Sequence, residues 1–195
     1  MRTRQVPCAV TCAHGACAAR SPQGVRSGRG PAEAVATFDN MLTTDQKGAT
    51  AELKIAARAA QFGVGVWSPY TVERFDLIFD LRPRLIRVQC KWATRYGDVM
   101  IVRCQRHRRA RAGFVSRLYS ADEIDAFAAY CADVDECYFL PLSVFAGRTN
   151  IQLRLGPTKN NQAHGVNWAK DYEFAATLGP HGAVAQLGER LAGSQ

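Results

Sequence analysis

The strongest constraint on this chain is a pair of apolar segments carrying charge at regular intervals. Phe75-Asp76-Leu77-Ile78-Phe79-Asp80 sets two acids into an otherwise apolar run, and Ile86-Arg87-Val88-Gln89-Cys90-Lys91-Trp92-Ala93 alternates apolar with polar. A period of two is that of a strand. Arg87, Gln89 and Lys91 therefore share one face, and Val88, Cys90 and Trp92 share the other, which should be core. On the earlier segment Asp76, Ile78 and Asp80 share a face. The short turn around Arg82 to Arg84 predicts an antiparallel pair, with the acids near Gln89 and Lys91. A carboxylate in an apolar strand is costly unless it is paired or bound to a metal.

The remaining patterned segments build around that pair. A helix is predicted through Gln61, with Thr44 as N-cap and Asp45 at the positive end of the helix dipole. Ala49, Leu53, Ala56, Ala57 and Ala60 recur at helical spacing, and Gly63 and Gly65 end it. Strands are predicted over 64–68, 75–81, 85–93 and 99–104, then a helix over 121–132 with Ser120 and Glu123 as a capping box. Two strands over 136–140 and 151–155 and a helix over 161–174 complete the order αββββαββα. That order predicts an α/β fold with a mixed central sheet flanked by helices.

The ends differ from the middle. Residues 1–40 are rich in Arg, Ala, Gly and Ser with no sustained period, and are expected to be a disordered leader. Cys8, Cys12, His14 and Cys17 lie there at irregular spacing, with no second ligand pair, so no zinc site is expected. The folded domain is placed at 41–175 and a disordered tail at 176–195. No apolar run reaches the ~18 residues of a membrane helix, and no apolar stretch follows the basic start, so a cytoplasmic chain with no membrane partner is expected. The seven cysteines, an odd number, then read as reduced thiols. A net charge of +8 and a pI near 9.4 favour a polyanionic partner.

Asp76, Gln89 and Lys91 together suit phosphodiester hydrolysis. That reaction uses a hard divalent cation on the phosphate and an acidified water. Magnesium takes oxygen donors, so Asp76 is the main candidate ligand and the Gln89 amide oxygen a second. A protonated Lys91 cannot ligate; it suits orienting the water or stabilising negative charge on the phosphate. Asp80 reads either as a further ligand or as a surface acid at a strand end.

Asp76 followed by Gln89-Cys90-Lys91 after a short hairpin resembles the signature of the PD-(D/E)XK nucleases, and most of all the homing endonucleases associated with group I introns. Lys47-Gly48 ahead of Glu52, Phe75-Asp76-Leu77-Ile78, Asp125 to Tyr130, Tyr138 to Pro141, Leu153-Arg154 through Asn160-Asn161-Gln162, and Trp168-Ala169 to Tyr172 extend the resemblance. Gln89 stands where the broader family has a second acid, and Phe75 where it has proline. The resemblance implies a restriction-endonuclease-like fold and a magnesium-dependent endodeoxyribonuclease. It adds Glu52 as a fourth site residue and metal ligand. It also implies double-stranded DNA as partner and, since two strands need two active sites, a homo-oligomer. Two alternatives stay open: a structure-selective nuclease of the Holliday junction resolvase or repair type, and a nucleic-acid-binding protein with a dead site.

Beside this site, Arg103, Arg106, His107, Arg108, Arg109, Arg111 and Arg117 form a basic run that reads either as phosphate contacts or as a solvated loop. Arg154 and Lys159 are weaker DNA-binding candidates, with Arg148, Asn150 and Asn160. The tail from Gly182 to Gln195 resembles the peptide produced when a reading frame enters a bacterial tRNA gene, in keeping with the intron link; the alternative is an amphipathic helix with Val184, Leu187 and Leu191 on one face.

Overall fold

The computed structural model describes residues 41–110, 113–157 and 164–179. The expected leader, and the tail from residue 180 on, lie outside the described residues. So do Arg111 and Lys159.

Helix α1 (Thr44–Gln61) opens on a capping box one residue earlier than predicted. The Gln46 amide N–H donates to Thr43 Oγ1 at 3.3 Å, and the Thr43 N–H donates to Gln46 Oε1 at 2.9 Å. Gln46 at the third helical position selects Thr43 over Thr44 as the cap. The buried stripe is Ala51, Ile55 and Ala59. It is not the predicted stripe, since Leu53 is 72% exposed. A helix rich in alanine offers several apolar phases, and the largest branched side chain, Ile55, goes inside.

The sheet contains β1 (Gly65–Trp67), β2 (Leu77–Asp80), β3 (Leu85–Tyr96), β4 (Val99–Arg103), β7 (Ala126–Cys131), β8 (Glu136–Pro141) and β9 (Asn150–Arg154). Strands β2 and β3 form the predicted antiparallel hairpin, with Leu77 opposite Val88. Strand β7 runs parallel to β3, and the other pairings are antiparallel, so the sheet is mixed. One face packs on α1 through Phe79, Val88, Cys90 and Phe139, and the other buries Ala93, Met100, Phe127 and Leu153. Burying one such phenylalanine is worth about 1.5–3 kcal/mol.

Three predicted elements differ. The helix expected over 121–132 is a turn followed by β7. The capping-box contact forms, with the Ser120 N–H donating to Glu123 Oε2 at 3.2 Å. The chain then enters a strand whose six residues are all buried. A strand buried on both faces has no alternation, so its apolar run looks like a buried helix. The basic run is not a loop: Arg103 ends β4 of the main sheet, and the described basic residues that follow it lie outside that sheet. They form a two-stranded ribbon of β5 (Gln105–Ala110) and β6 (Gly113–Leu118). The last predicted helix overlaps residues outside the description. From 164 on, the chain forms a turn, a 3-10 turn at Ala169–Asp171 and a short helix α3 (Phe174–Thr177). A short helix α2 (Leu142–Phe145) precedes β9. Packing continues past residue 175, with Leu178 in the core against α1. No helix of the described residues is long and apolar enough to cross a membrane.

Candidate active site

Strand β3 is long enough to hold two partners end to end on one edge. Val88 pairs with Leu77 of β2 and with Ala126 of β7, so those strands lie on opposite edges. Ala93 pairs with Val102 of β4 and with Cys131 of β7, so β4 lies on the same edge as β2. Between them, residues 89–92 have no strand partner on that edge among the described residues. Asp76 fills the gap. Its N–H donates to Val88 O at 2.9 Å, continuing the β2 ladder by one step. Its Oδ2 accepts the Cys90 N–H at 2.8 Å and the Gln89 Nε2 amide. A backbone donor that would otherwise be unpaired is thereby satisfied. The expected grouping of Asp76 and Gln89 is present in the fold.

Lys91 lies two residues on, half-buried beside the same gap. Its Nζ donates to Tyr119 Oη at 3.3 Å and sits 4.9 Å from the centre of the Tyr119 ring. Burial lowers its pKa, and the negative charge of Asp76 opposes the shift. The Asp76 carboxyl is raised, by burial first, against the lowering effects of the Cys90 hydrogen bond, Lys91, Arg106 and Gln89. Glu52, on the exposed side of α1, is raised by loss of solvent and then by Asp76. The charge of Asp76 therefore reaches Glu52. Asp80 is elsewhere: its Oδ1 accepts the Arg82 N–H at 3.1 Å and stabilises the β2–β3 turn. Arg87, on the same face as Gln89, is also structural. It forks onto Asp125, with Nε to Oδ2 and Nη2 to Oδ1 both at 3.0 Å.

The residues present fit a hard divalent cation. Among the described residues, Asp76 Oδ1, Gln89 Oε1 and the Glu52 carboxylate accept no hydrogen bond. Two carboxylates that are both raised, one of them by the charge of the other, form with an amide oxygen a donor set that suits a cation. No group of three or more His, Cys, Asp or Glu residues among the described residues is placed to hold a metal, so the amide would be a necessary third donor.

The basic candidates separate in space. Arg106 lies at the base of β5, and its charge reaches Asp76, Lys91 and Tyr119. Arg117 is opposite Arg106 on β6 and pairs with Glu123 at 3.1 Å. Arg108 and Arg109 follow Arg106 along β5. Arg103 is exposed at the end of β4, opposite Asn150. Arg154 is committed elsewhere, donating to Gly156 O and Pro157 O at 3.2 Å each. Sequence reasoning missed Tyr119. Twenty-eight residues separate it from Lys91, and no local pattern marks the contact.

The profile of the PD-(D/E)XK endonuclease family matches residues 42–175. Among solved structures, the chain is similar to that of a bacterial homing endonuclease, I-Ssp6803I, at 23% identity and a TM-score of 0.60, with 78% of this chain and 98% of that chain covered. A comparison with proteins of curated function finds no match.

Proposed function

Because the chain belongs to the PD-(D/E)XK endonuclease family, we propose that this nuclease is a magnesium-dependent, site-specific DNA endonuclease of the homing type, linked to a group I intron. Its cutting site would be Asp76, Gln89, Lys91 and Glu52, carried by a nuclease domain over 41–175. The observation that supports this most is the convergence of Asp76, Gln89 and Lys91 on the unpaired stretch of the β3 edge.

Asp76, Gln89 and Glu52 would hold the ion through oxygen. Magnesium supplies positive charge against the scissile phosphate and makes a bound water acidic. Asp76 keeps its position because Cys90 and Gln89 fix Oδ2, which leaves Oδ1 without a hydrogen bond among the described residues. The Lys91 ammonium, steadied by Tyr119, faces negative charge building on the phosphate. Its partial burial keeps competing water away, and electrostatic stabilisation is stronger in such surroundings. Arg106 adds positive charge on the ribbon side of the site, where the phosphate backbone of double-stranded DNA would run. Cutting both strands calls for two such sites, hence a symmetric oligomer.

The test is cleavage of intronless tRNA-gene duplexes, together with a magnesium digest of genomic DNA whose cut ends are mapped. One fixed site, lost in Lys91→Ala, is the expected result. Preference for four-way junctions regardless of sequence would replace the homing reading with a structure-selective nuclease. Tight binding without cutting under any divalent metal would leave a nucleic-acid-binding protein with a dead site.

A further inference from the structure

Among the described residues the β5–β6 ribbon pairs with no other strand, so contacts at its base bear on its direction relative to the cutting site. Its sixteen-residue neighbourhood from Arg103 to Leu118 contains no Asp or Glu. At its base sits Glu123, whose side chain is only 13% exposed. Glu123 Oε1 meets Arg117 Nη2 of β6 at 3.1 Å and Arg74 Nε at 3.3 Å. Its Oε2 accepts the Ser120 N–H at 3.2 Å. Each of these partners lies within two residues of the site: Arg74 precedes Asp76 by two, Arg117 precedes Tyr119 by two, and Ser120 follows it. One largely buried carboxylate thus holds the ribbon, the segment carrying Asp76 and the segment carrying the tyrosine that steadies Lys91.

We propose that Glu123 is a positioning residue that fixes the register between the DNA-engaging ribbon and the bond that is cut. This rests on the nuclease reading above. A two-stranded ribbon has the width that the major groove of DNA admits. Six residues per strand give it a reach of roughly 20 Å, at about 3.4 Å per residue. A ribbon seated in the groove sets where the duplex lies, and the Glu123 contacts set where Asp76 and Lys91 lie relative to the ribbon. A misplacement of about 1 Å can cost on the order of a hundredfold in rate without loss of binding. Arg117 and Arg74 also gain from the arrangement. Two guanidinium groups close together repel, and a shared carboxylate lets both stay near DNA without that cost.

The test uses the full chain and the same mapped genomic digest and tRNA-gene duplexes. Wild type, Glu123→Gln, Glu123→Asp, Arg74→Gln and the Arg74→Gln/Glu123→Gln double variant are compared for cut position, cleavage rate at saturating duplex, binding in chelator, and melting. The expected result for Glu123→Gln is binding within about twofold of wild type, a rate lower by roughly tenfold and cuts spread over neighbouring positions. Glu123→Asp should recover part of the rate and narrow the spread. The double variant should be no worse than Glu123→Gln alone, because both break one connection. If Glu123→Gln melts early, Arg74→Gln carries the test, with the same spread expected. Wild-type cut positions in both Glu123→Gln and Arg74→Gln would overturn the inference while leaving the nuclease reading intact. No cutting by wild type would remove both.

Discussion

The Cys90 N–H donates to the Asp76 carboxylate at 2.8 Å, at the point on the β3 edge where β2 has ended and β4 has not begun. An unpaired stretch between two strands would ordinarily leave backbone donors exposed. Here the gap is closed by a side chain, and the side chain is an acid with one oxygen still open. The break in the sheet and the placement of the acid are thus one feature of the fold.

That acid costs stability when ionised. Burial raises the Asp76 carboxyl above its ordinary value, so its contribution becomes unfavourable as pH rises through the folded-state pKa. Asp76→Asn is expected to raise the melting temperature at neutral pH in chelator and to abolish cleavage. Magnesium should stabilise wild type by about 2.7 kcal/mol at a hundredfold excess over Kd, and should not stabilise Asp76→Asn. Melting curves with and without magnesium check both; equal magnesium shifts would remove Asp76 from the ligand set.

Tyr119→Phe keeps the ring beneath the Lys91 ammonium and removes the hydroxyl 3.3 Å from it. Burial first, and Asp76 next, push the Tyr119 hydroxyl up to about 12, so it stays a neutral partner through the working pH range. A hydrogen bond to a charged group is worth about 1.5–3 kcal/mol, so cleavage should fall at least roughly tenfold. Duplex binding should not change. An unchanged single-turnover rate would make the contact incidental.

Arg106 and Arg154 should behave differently. Arg106 is exposed and its charge reaches the site, whereas Arg154 is held by two backbone carbonyls. If Arg106 meets one phosphate, Arg106→Ala should make the slope of log affinity against log salt shallower by about 0.9. Arg154→Ala should leave the slope alone. Binding titrations at several salt concentrations separate the two.

Arg87 and Asp125 tie the turn after Tyr119 to β3. Burial would raise the Asp125 carboxyl, but its hydrogen bonds to the Arg87 side chain and N–H outweigh burial and hold it below the usual carboxylate range. A depressed folded-state pKa gives stability that is present at neutral pH and lost as pH falls below about 4. Asp125→Ala should cost about 1–2 kcal/mol at pH 7, the lower part of the range for charged hydrogen bonds because both side chains are partly solvated. The difference from wild type should shrink in acid. Denaturant melts at neutral and acid pH test this.

The candidate site was legible where the sequence alternates. The two-residue period of Ile86 to Ala93 and the short turn before it were enough to bring Gln89 and Lys91 to Asp76. Glu52 is on another element, and its place beside the apolar stripe of the helix pointed to it together with the family resemblance. Ala126 to Cys131 carried no period, so the local signal from Ser120 and Glu123 suggested a helix. The capping contact is real, but pairing on both edges decided for a strand. The basic ribbon was hidden because charged residues satisfy strand and loop equally well. Contacts such as Tyr119 to Lys91, and Glu123 to Arg74, depend on elements meeting across the fold, which no local spacing records.

The proposed cutting site joins Asp76, Gln89 and Lys91 around one magnesium-dependent reaction. The most direct measurement is single-turnover cleavage of the mapped duplex by wild type and Lys91→Ala, each with magnesium and with chelator. Cutting is expected only with magnesium, with Lys91→Ala slower than wild type by at least roughly a hundredfold while still binding the duplex. Cutting in chelator, or a Lys91→Ala rate equal to wild type, would contradict it.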